Sequence, residues 1–437
     1  MNQNTISYRA LLSLLAILFA LRIAAQLAVA DGGWTFLPAF DLWHSAVVSY
    51  PVLLAVQLAI LVLMVGVIAA LPFRTCRPGL GTAIITIGWL YLAVMAVRLV
   101  VGVLGLADGT WFEAAVSTAF HFILAAFVLV LGKALRGGER QGSANAIIPQ
   151  IVRYAAYPAL MIGGYALFVW LRETGAPLLF SAYLSAAVAT VFILLHETFF
   201  PAREDWRPLG TEVANDGLFL ALVQVTLPLA LRALALVAIV WIAATEDAPL
   251  AVIWPTGAPV LVQVLLMVVI AEFFRYWIHR ALHTYGPLWR LHAVHHASTK
   301  LYTINVGRFH PLDKTLQFLG DTLPFLLLGV APEVFATYFV LYAINGFYQH
   351  SNADVRLGPL NWVIAGPELH RWHHSADLAE AQSNYGNNLI IWDTVFGTRF
   401  LPKDRRLGRI GIGNPHWPHG FLAQLAAPFT TPTEAKD

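Results

Sequence analysis

The chain has 437 residues, of which 58% are hydrophobic and 12% are charged, with a mean hydropathy of +0.66 and a formal charge of +2. Soluble domains carry about 25% charged residues, so this composition excludes an ordinary soluble protein and indicates a membrane protein. The charge balance gives no sign of a nucleic-acid-binding patch. A single cysteine, Cys76, excludes a disulfide framework and a cysteine-rich metal site.

Long apolar segments recur along the chain, and each is long enough to cross a hydrocarbon core of about 30 Å as a helix. We therefore predict an all-α polytopic membrane protein with about eight transmembrane helices. The seventh segment contains Pro228 and Arg232 and is expected to be kinked. The segments run approximately over 10–30, 46–71, 82–106, 113–135, 152–171, 178–199, 217–245 and 252–275.

The basic residues between these segments predict the orientation, because cytoplasmic loops collect lysine and arginine. One side carries nine such residues and the other carries only Arg172. Both termini and the histidine-rich region described below are therefore expected in the cytoplasm. The small-residue pattern at 28–30 resembles a signal-peptidase site, but Arg22 interrupts the apolar stretch, so an uncleaved first span is favoured. The nine are Arg9, Arg74, Arg77, Lys133, Arg136, Arg140, Arg153, Arg203 and Arg207.

Two regions are predicted, separated by the Gly/Ser/Arg-rich stretch at 136–146. Residues 1–145 form a four-helix membrane region of unknown role. Its notable polar residues are favoured as groups that help the helices associate, although an ionisable residue in a span requires a partner. They are Arg22, His44, Arg98 and His121.

Residues 146–437 form the second region. Within it, the stretch at 318–347 consists of two apolar halves separated by Gly329 and Pro332. Each half is short for a span, so a re-entrant hairpin is predicted, which leaves the segments before and after it on one side of the membrane.

Eight of the fifteen histidines lie in three short motifs, HRALH at 279–283, HAVHH at 292–296 and HRWHH at 370–374. Residues at i, i+3 and i+4 share a helix face, so each motif projects its imidazoles together. Eight imidazoles exceed the needs of one ion, and two adjacent metals are predicted. Imidazole without thiolate suits iron, zinc, nickel or copper. The eight are His279, His283, His292, His295, His296, His370, His373 and His374.

These motifs, in this order and followed by NYGNNLIIWDTVFGT at 384–398, resemble the fatty acid hydroxylase/sterol desaturase superfamily. RFHPLD at 308–313 and QHSN at 349–352 are similar to further motifs of that family. The resemblance covers roughly residues 200–402 and implies that residues 146–437 are a catalytic domain. It also implies a non-haem centre of two iron ions, replaceable by zinc in purified protein, that uses O₂ and two external electrons on a membrane lipid.

The resemblance carries the eight histidines over as metal ligands and adds His350 of QHSN as a further one. Some relatives have another histidine four residues earlier, where this chain has Gly346. His310 of RFHPLD is expected either as a ligand or as the hydrogen-bond partner of one. Asp313 is a candidate to orient a ligating imidazole, with a solvated turn as the alternative. The 384–398 motif is expected to be a structural element beneath the site.

The leading functional prediction is therefore hydroxylation of a lipid C–H bond, with desaturation on the same centre as the runner-up. The lipid could be an acyl lipid, a sterol or a carotenoid. A hydrolytic pair of metals is less favoured, because such sites usually include bridging carboxylates and these motifs contain none. A metal carrier or transporter is the non-enzymatic alternative. No flavin, nicotinamide or haem motif is present, so a separate electron-donor protein is expected, and a bacterial inner membrane is favoured over the endoplasmic reticulum.

Overall fold

The fold is helical throughout the part of the chain described by the computed structural model, residues 3–32, 34, 36–43, 49–71, 77–107, 110–136, 147–245, 253–414 and 416–430. These residues form no strand beyond two isolated bridges, which confirms the all-α prediction. The α-helices are α1 Gln3–Gly32, α2 Tyr50–Ala70, α3 Pro78–Val103, α4 Thr110–Glu113, α5 Ala115–Arg136, α6 Ile147–Glu173, α7 Leu178–Phe199, α8 Gly210–Leu218, α9 Leu227–Thr245, α10 Val260–Thr284, α11 Gly286–His296, α12 Pro311–Asp321, α13 Leu323–Leu327, α14 Pro332–His350, α15 Pro367–His373, α16 Leu378–Ala381, α17 Ile391–Phe396 and α18 Phe421–Thr430.

Eight helices in the described residues are long and apolar enough to cross a membrane, as predicted. The seventh of them runs over Gly210–Trp241 and combines α8, a π-helical segment at Phe219–Thr226 and the first part of α9. Pro228 lies just after the π-helical segment. A proline cannot donate its backbone N–H inside a helix, and a local π-helical segment absorbs that disruption. The spans are Tyr8–Asp31, Tyr50–Ala70, Pro78–Val103, Ala115–Arg136, Gln150–Glu173, Leu178–Phe199, Gly210–Trp241 and Val260–Thr284.

The chain divides into two compact units, with Met1–Pro201 and Phe339–Ile344 in unit 1 and Ala202–Tyr338 and Asn345–Asp437 in unit 2. The division falls at residue 201, whereas the sequence placed a boundary at 136–146. Most of that stretch, 137–146, lies outside the described residues, as do His44 and Cys76. Helices α6 and α7 pack with unit 1 because their apolar faces are part of its core. The expected division by role, at residue 145, remains a prediction.

In unit 1, α5 is the central helix and packs closely against α3. Small residues permit this approach, because a Cβ on Gly88 would lie 2.8 Å from Leu129 and one on Gly132 would lie 2.8 Å from Ile85. Glycines that let backbones approach are typical of helix pairs in membranes.

In unit 2, the stretch predicted as a re-entrant hairpin is folded as α12, α13 and α14. The chain breaks where expected, since Gly329 adopts a positive φ of 68° and Pro332 begins α14. Whether this hairpin enters a membrane stays a prediction. The break separates α12, which carries Asp313, from α14, which ends at His350.

Candidate metal centre

Four helices of unit 2 present the histidines. Helix α10 carries HRALH in its last turns, and an extended residue, Tyr285, separates it from α11, which carries HAVHH. Pro287 in the first turn of α11 suits a helix start because its missing N–H would have no partner there. Helix α14 ends at His350, and HRWHH lies on α15 and its C-terminal cap, His374.

The nine imidazoles form two buried groups, and the ligand nitrogens within each group lie within 4.8 Å of one another. The groups are adjacent, because the rings of His296 and His374, one from each, stack with centroids 4.3 Å apart. The first group contains His279, His283, His292, His296 and His373, and the second contains His295, His350, His370 and His374. The structure thus brings together eight histidines of the three motifs and His350.

Hydrogen bonds at the outer ring nitrogen fix the tautomer of five of these rings. The Nδ1 atoms of His279, His295 and His373 contact the backbone carbonyls of Tyr385 at 2.7 Å, Arg308 at 3.1 Å and Ser383 at 2.8 Å. A carbonyl oxygen only accepts, so Nδ1 carries the proton and Nε2 keeps a lone pair.

Two side-chain acceptors do the same for His292 and His350. His292 Nδ1 donates to Asp313 Oδ2 at 2.8 Å, and His350 Nδ1 donates to Asn305 Oδ1 at 3.0 Å. The Asn305 amide is oriented by its own Nδ2, which donates to the carbonyl of Lys300 at 2.8 Å. Acceptors of this kind orient ligating imidazoles and increase their basicity.

The inner nitrogens face one another at distances that suit shared ions. His279 Nε2 is 3.0 Å from His292 Nε2, and His370 Nε2 is 2.9 Å from His350 Nε2 and 3.1 Å from His374 Nε2. Two nitrogens bound at right angles to one ion at about 2.1 Å would be about 3.0 Å apart. In their neutral forms His279 and His292 both lack a proton on Nε2, so they cannot hydrogen-bond each other. A cation held by both lone pairs would account for the contact.

Burial favours the neutral form of five of these rings, which is the form that binds metal. It lowers the pKa of His295, His296, His350, His370 and His374 well below the ordinary value of a histidine. The Nε2 of His296 is buried and has no hydrogen-bond partner among the described residues. This donor set therefore fits a pair of imidazole-bound metal ions.

Asp313 lies where an orienting carboxylate is needed rather than in a solvated turn. It is fully buried, and its second oxygen accepts from Gln317 Nε2 at 2.7 Å. Burial favours the neutral acid, but His292, Arg275 and Gln317 outweigh it and lower the pKa of Asp313 below its ordinary value. The side chain is therefore a carboxylate bonded to a member of the first group.

His310 does not join either group. It is the N-cap of α12, where Nδ1 accepts from the backbone N–H of Leu312 at 3.2 Å and Nε2 donates to the carbonyl of Leu425 at 3.2 Å. Both ring nitrogens are occupied, so we leave His310 out of the proposed ligand set. His416 and His419 are exposed and also lie outside the groups.

The 384–398 motif holds Tyr385, the residue whose carbonyl fixes His279. Asp393 accepts from the backbone N–H groups of Tyr385 and Gly386, both at 2.7 Å, and from the Thr398 hydroxyl. The Asp393 carboxylate therefore bonds to groups of its own loop. The neighbouring Arg399 guanidinium donates to the carbonyl of Asn361.

Glu272, which the sequence analysis does not single out, is a buried carboxylate that contacts the loop at 384–398. It lies on α10 about two turns before His279, and one carboxylate oxygen accepts from the backbone N–H groups at 387, 388 and 389. It therefore holds the backbone of the loop that contains Tyr385. Its signal was available, since a carboxylate in an apolar span marks a functional position by default.

The sequence profile of the fatty acid hydroxylase family matches residues 264–398, a range that contains every histidine of both groups. Over 278 residues the chain is 37% identical to the ornithine lipid hydroxylase OlsE of Rhizobium tropici. The aligned region covers 63% of this chain and 83% of that protein. The chain belongs to the fatty acid hydroxylase/sterol desaturase superfamily.

Other relatives match a shorter part of the chain. An alkylglycerol monooxygenase of Xenopus tropicalis is 32% identical over 136 residues, 31% of this chain and 30% of that protein. A putative Delta(7)-sterol-C5(6)-desaturase 2 of Arabidopsis thaliana is 32% identical over 143 residues, 32% of this chain and 48% of that protein. No solved structure matches the chain.

Two glycines near the histidine groups allow a matched test of whether the loop at 384–398 positions His279. A Cβ on Gly386 would overlap the carbonyl oxygen of Leu389 and lie 3.0 Å from Asp393 Oδ2, whereas one on Gly346, in α14, would meet only Val306 at 3.8 Å. We expect Gly386→Ala to destabilise the protein by about 1–3 kcal/mol and to lower metal retention, because Tyr385 must move.

Gly346→Ala is the control and should raise stability by about 0.5–1 kcal/mol, as alanine does inside a helix. Thermal unfolding in detergent and metal analysis of both variants would measure this. Equal behaviour of the two variants would refute the role assigned to the loop.

Proposed function

We propose that this protein is an O₂-dependent hydroxylase that inserts oxygen into a C–H bond of a membrane lipid. The observation that carries the proposal is the inward-facing set of Nε2 lone pairs in two adjacent buried groups. Membership of a superfamily of lipid-acting oxidoreductases supports the same reaction class.

Nine histidines would hold the metals, five at one ion and four at the other. Iron is the proposed metal, and when bound it would supply the activation of O₂ that an organic side chain cannot provide. Histidine sets without carboxylate are unlike hydrolytic metal pairs, which usually include bridging acids. The two groups contain no acid among the described residues, and Asp313 contacts the centre through His292.

The reaction balances with two electrons from outside the chain. The lipid C–H bond, O₂, two electrons and two protons give an alcohol and one water molecule. The sequence contains no motif for a redox cofactor, so a separate donor protein is proposed. Desaturation would use the same inputs, remove two hydrogens from the lipid and release two waters.

The polypeptide itself would position and insulate the site. Outer hydrogen bonds from carbonyls, Asn305 and Asp313 hold the rings with their lone pairs inward. Burial of the rings keeps water away from them, and ordering of these groups before binding limits the reorganisation that the reaction requires.

The proposed substrate class is a polar acyl lipid. The match to the ornithine lipid hydroxylase covers 83% of that protein, whereas the match to the sterol desaturase covers 48% of that protein. Desaturation remains the second candidate because RFHPLD resembles the desaturase branch. From the distribution of basic residues, the site is proposed to face the cytoplasm, in a bacterial inner membrane.

Lipid analysis of cells that express the protein and produce ornithine lipids would test this function. We expect a new lipid heavier by one oxygen atom, labelled when cells receive isotopic O₂, and absent with His296→Ala. A product lighter by two hydrogens would establish desaturation instead. No new lipid from protein that carries two metal ions would refute the polar-lipid assignment.

A further inference from the structure

Unit 1 contains a largely apolar cavity in its membrane-spanning part, with a few polar side chains in its walls. Its volume is about 170 Å³, slightly more than a cavity of about 150 Å³ that holds a benzene molecule. Helices α1, α2 and α5 and the short helix Phe40–Trp43 line it. The polar side chains among its walls are Arg22, Gln57, Ser117 and His121.

Two of these side chains are buried without the partners that such groups require. Gln57 is 3% exposed, and neither its amide oxygen nor its amide nitrogen has a hydrogen-bond partner in the described chain. Arg22 is 6% exposed, and its Nε is likewise unbonded there. One terminal nitrogen of Arg22 reaches the Trp43 carbonyl at 3.4 Å, and the guanidinium lies over the Phe120 ring.

Two arginine side chains are buried in this part of unit 1. A second buried arginine, Arg98, donates from Nε to the Trp111 carbonyl at 2.8 Å and lies over the Trp111 ring, while its Nη2 has no hydrogen-bond partner in the described residues. Neither arginine is paired with a carboxylate from the residues described, and the cavity walls include no acid. A buried cation in a span is costly, so such residues are retained where they bind something.

We propose that this cavity binds the oxyanion headgroup of a membrane lipid, a phosphate or a carboxylate. The Arg22 guanidinium would bind the oxyanion and the Gln57 amide nitrogen would donate to it, which would give partners to Arg22 Nε and Gln57 Nε2. His121 also lines the cavity, and its Nδ1 is hydrogen-bonded to the Tyr91 hydroxyl at 2.5 Å. The apolar remainder, including Phe19 and Leu124, suits the adjoining part of a lipid.

The position of the cavity favours a lipid over a soluble anion. Gln57 is seven residues from the start of α2 and His121 is six from the start of α5, about 10 Å along each helix. Val56, which lines the cavity, is 51% exposed. It lies on α2, where only 11% of the apolar span is buried inside the protein. The cavity is thus reached beside a surface that lipid would cover.

Native mass spectrometry of the full-length protein in detergent would test the proposal. The probes are phosphatidylglycerol, diacylglycerol with the same acyl chains but no oxyanion, and inorganic phosphate as a competitor. We expect one phosphatidylglycerol to bind at least tenfold more tightly than diacylglycerol. Inorganic phosphate at millimolar concentration should not displace it.

Three variants separate a binding site from a structural role. Gln57→Leu and Arg22→Gln should each weaken phosphatidylglycerol binding tenfold or more. Gln26→Leu is the matched control, because Gln26 is a fully buried amide on α1 that is also unpartnered in the described structure but does not line the cavity. It should bind the lipid like the parent protein.

Thermal unfolding guards against loss of fold as the explanation. Without lipid, Gln57→Leu should match or exceed the parent in Tm, since the change removes an unpartnered amide, while lipid should stabilise the parent only. Equal binding of the two lipids, or equal binding by the Gln57→Leu and Gln26→Leu variants, would overturn the proposal. Displacement by inorganic phosphate would overturn the lipid assignment.

Discussion

Replacing His296 or His374 by alanine is expected to lower bound metal from two ions per chain to one or none, and to reduce lipid oxidation at least 100-fold. The two rings stack against each other, one in each histidine group, so each change removes a ligand from a different ion. Loss of a ligand weakens the remaining site because the other imidazoles were ordered around a full set. Elemental mass spectrometry of protein from iron-supplemented cells would measure the metal.

His310→Ala is the matched control for this experiment. His310 is also a buried histidine of unit 2, yet it caps α12 and lies outside both groups. Its replacement should cost about 1 kcal/mol of stability, as loss of an N-cap does, with both metal ions retained. Loss of metal in this variant, or two retained ions in His296→Ala and His374→Ala, would show that the ligand set is wrong.

The sequence predicts that the imidazoles within each motif lie together, because a helix places residues at this spacing on one face. HRALH needs one helix, and HAVHH needs a second that begins after a break. Each requirement is local, so periodicity and turn residues are sufficient to read it. The convergence of the motifs is not local; the number of imidazoles indicates it, and the resemblance to a family implies the same ligand set.

The outer partners of the rings were harder to predict. Tyr385, Ser383 and Arg308 contribute backbone carbonyls, and a carbonyl carries no signal of side-chain type. Asp313 was visible as a candidate because its side chain bears the acceptor. Glu272 was visible in the same way, as a carboxylate within an apolar helix, but its partners are more than 100 positions away.

The cavity of unit 1 could not be predicted from the sequence. Arg22 was noted in the sequence as a polar residue within a span, with helix association as the favoured explanation. Gln57 gives no comparable signal, since one glutamine in an apolar helix forms no pattern. The cavity exists only because α1, α2 and α5 bring the two side chains together, and that arrangement depends on packing that a single sequence does not encode locally.

Asp313→Asn is expected to weaken metal binding 10–100-fold and to lower the rate of lipid oxidation by a similar factor. The asparagine keeps the shape of Asp313, and its amide oxygen can still accept from His292 Nδ1, but the negative charge is lost. His292 then becomes a weaker ligand, because a carboxylate partner increases the basicity of a bound imidazole. Competition with a chelator, followed by metal analysis, would give the change in affinity.

Asp321→Asn provides the comparison, because Asp321 is a buried carboxylate on the same helix that pairs with Arg275 at 3.1 Å instead of with a histidine. Breaking this pair should lower Tm, since it removes a buried ion pair, but the metal affinity should stay within about twofold of the parent. If Asp321→Asn weakened metal binding as much as Asp313→Asn, the effect would belong to the stability of α12. A selective effect of Asp313→Asn would instead assign the carboxylate to the metal centre, through the single ring that separates it from the ion.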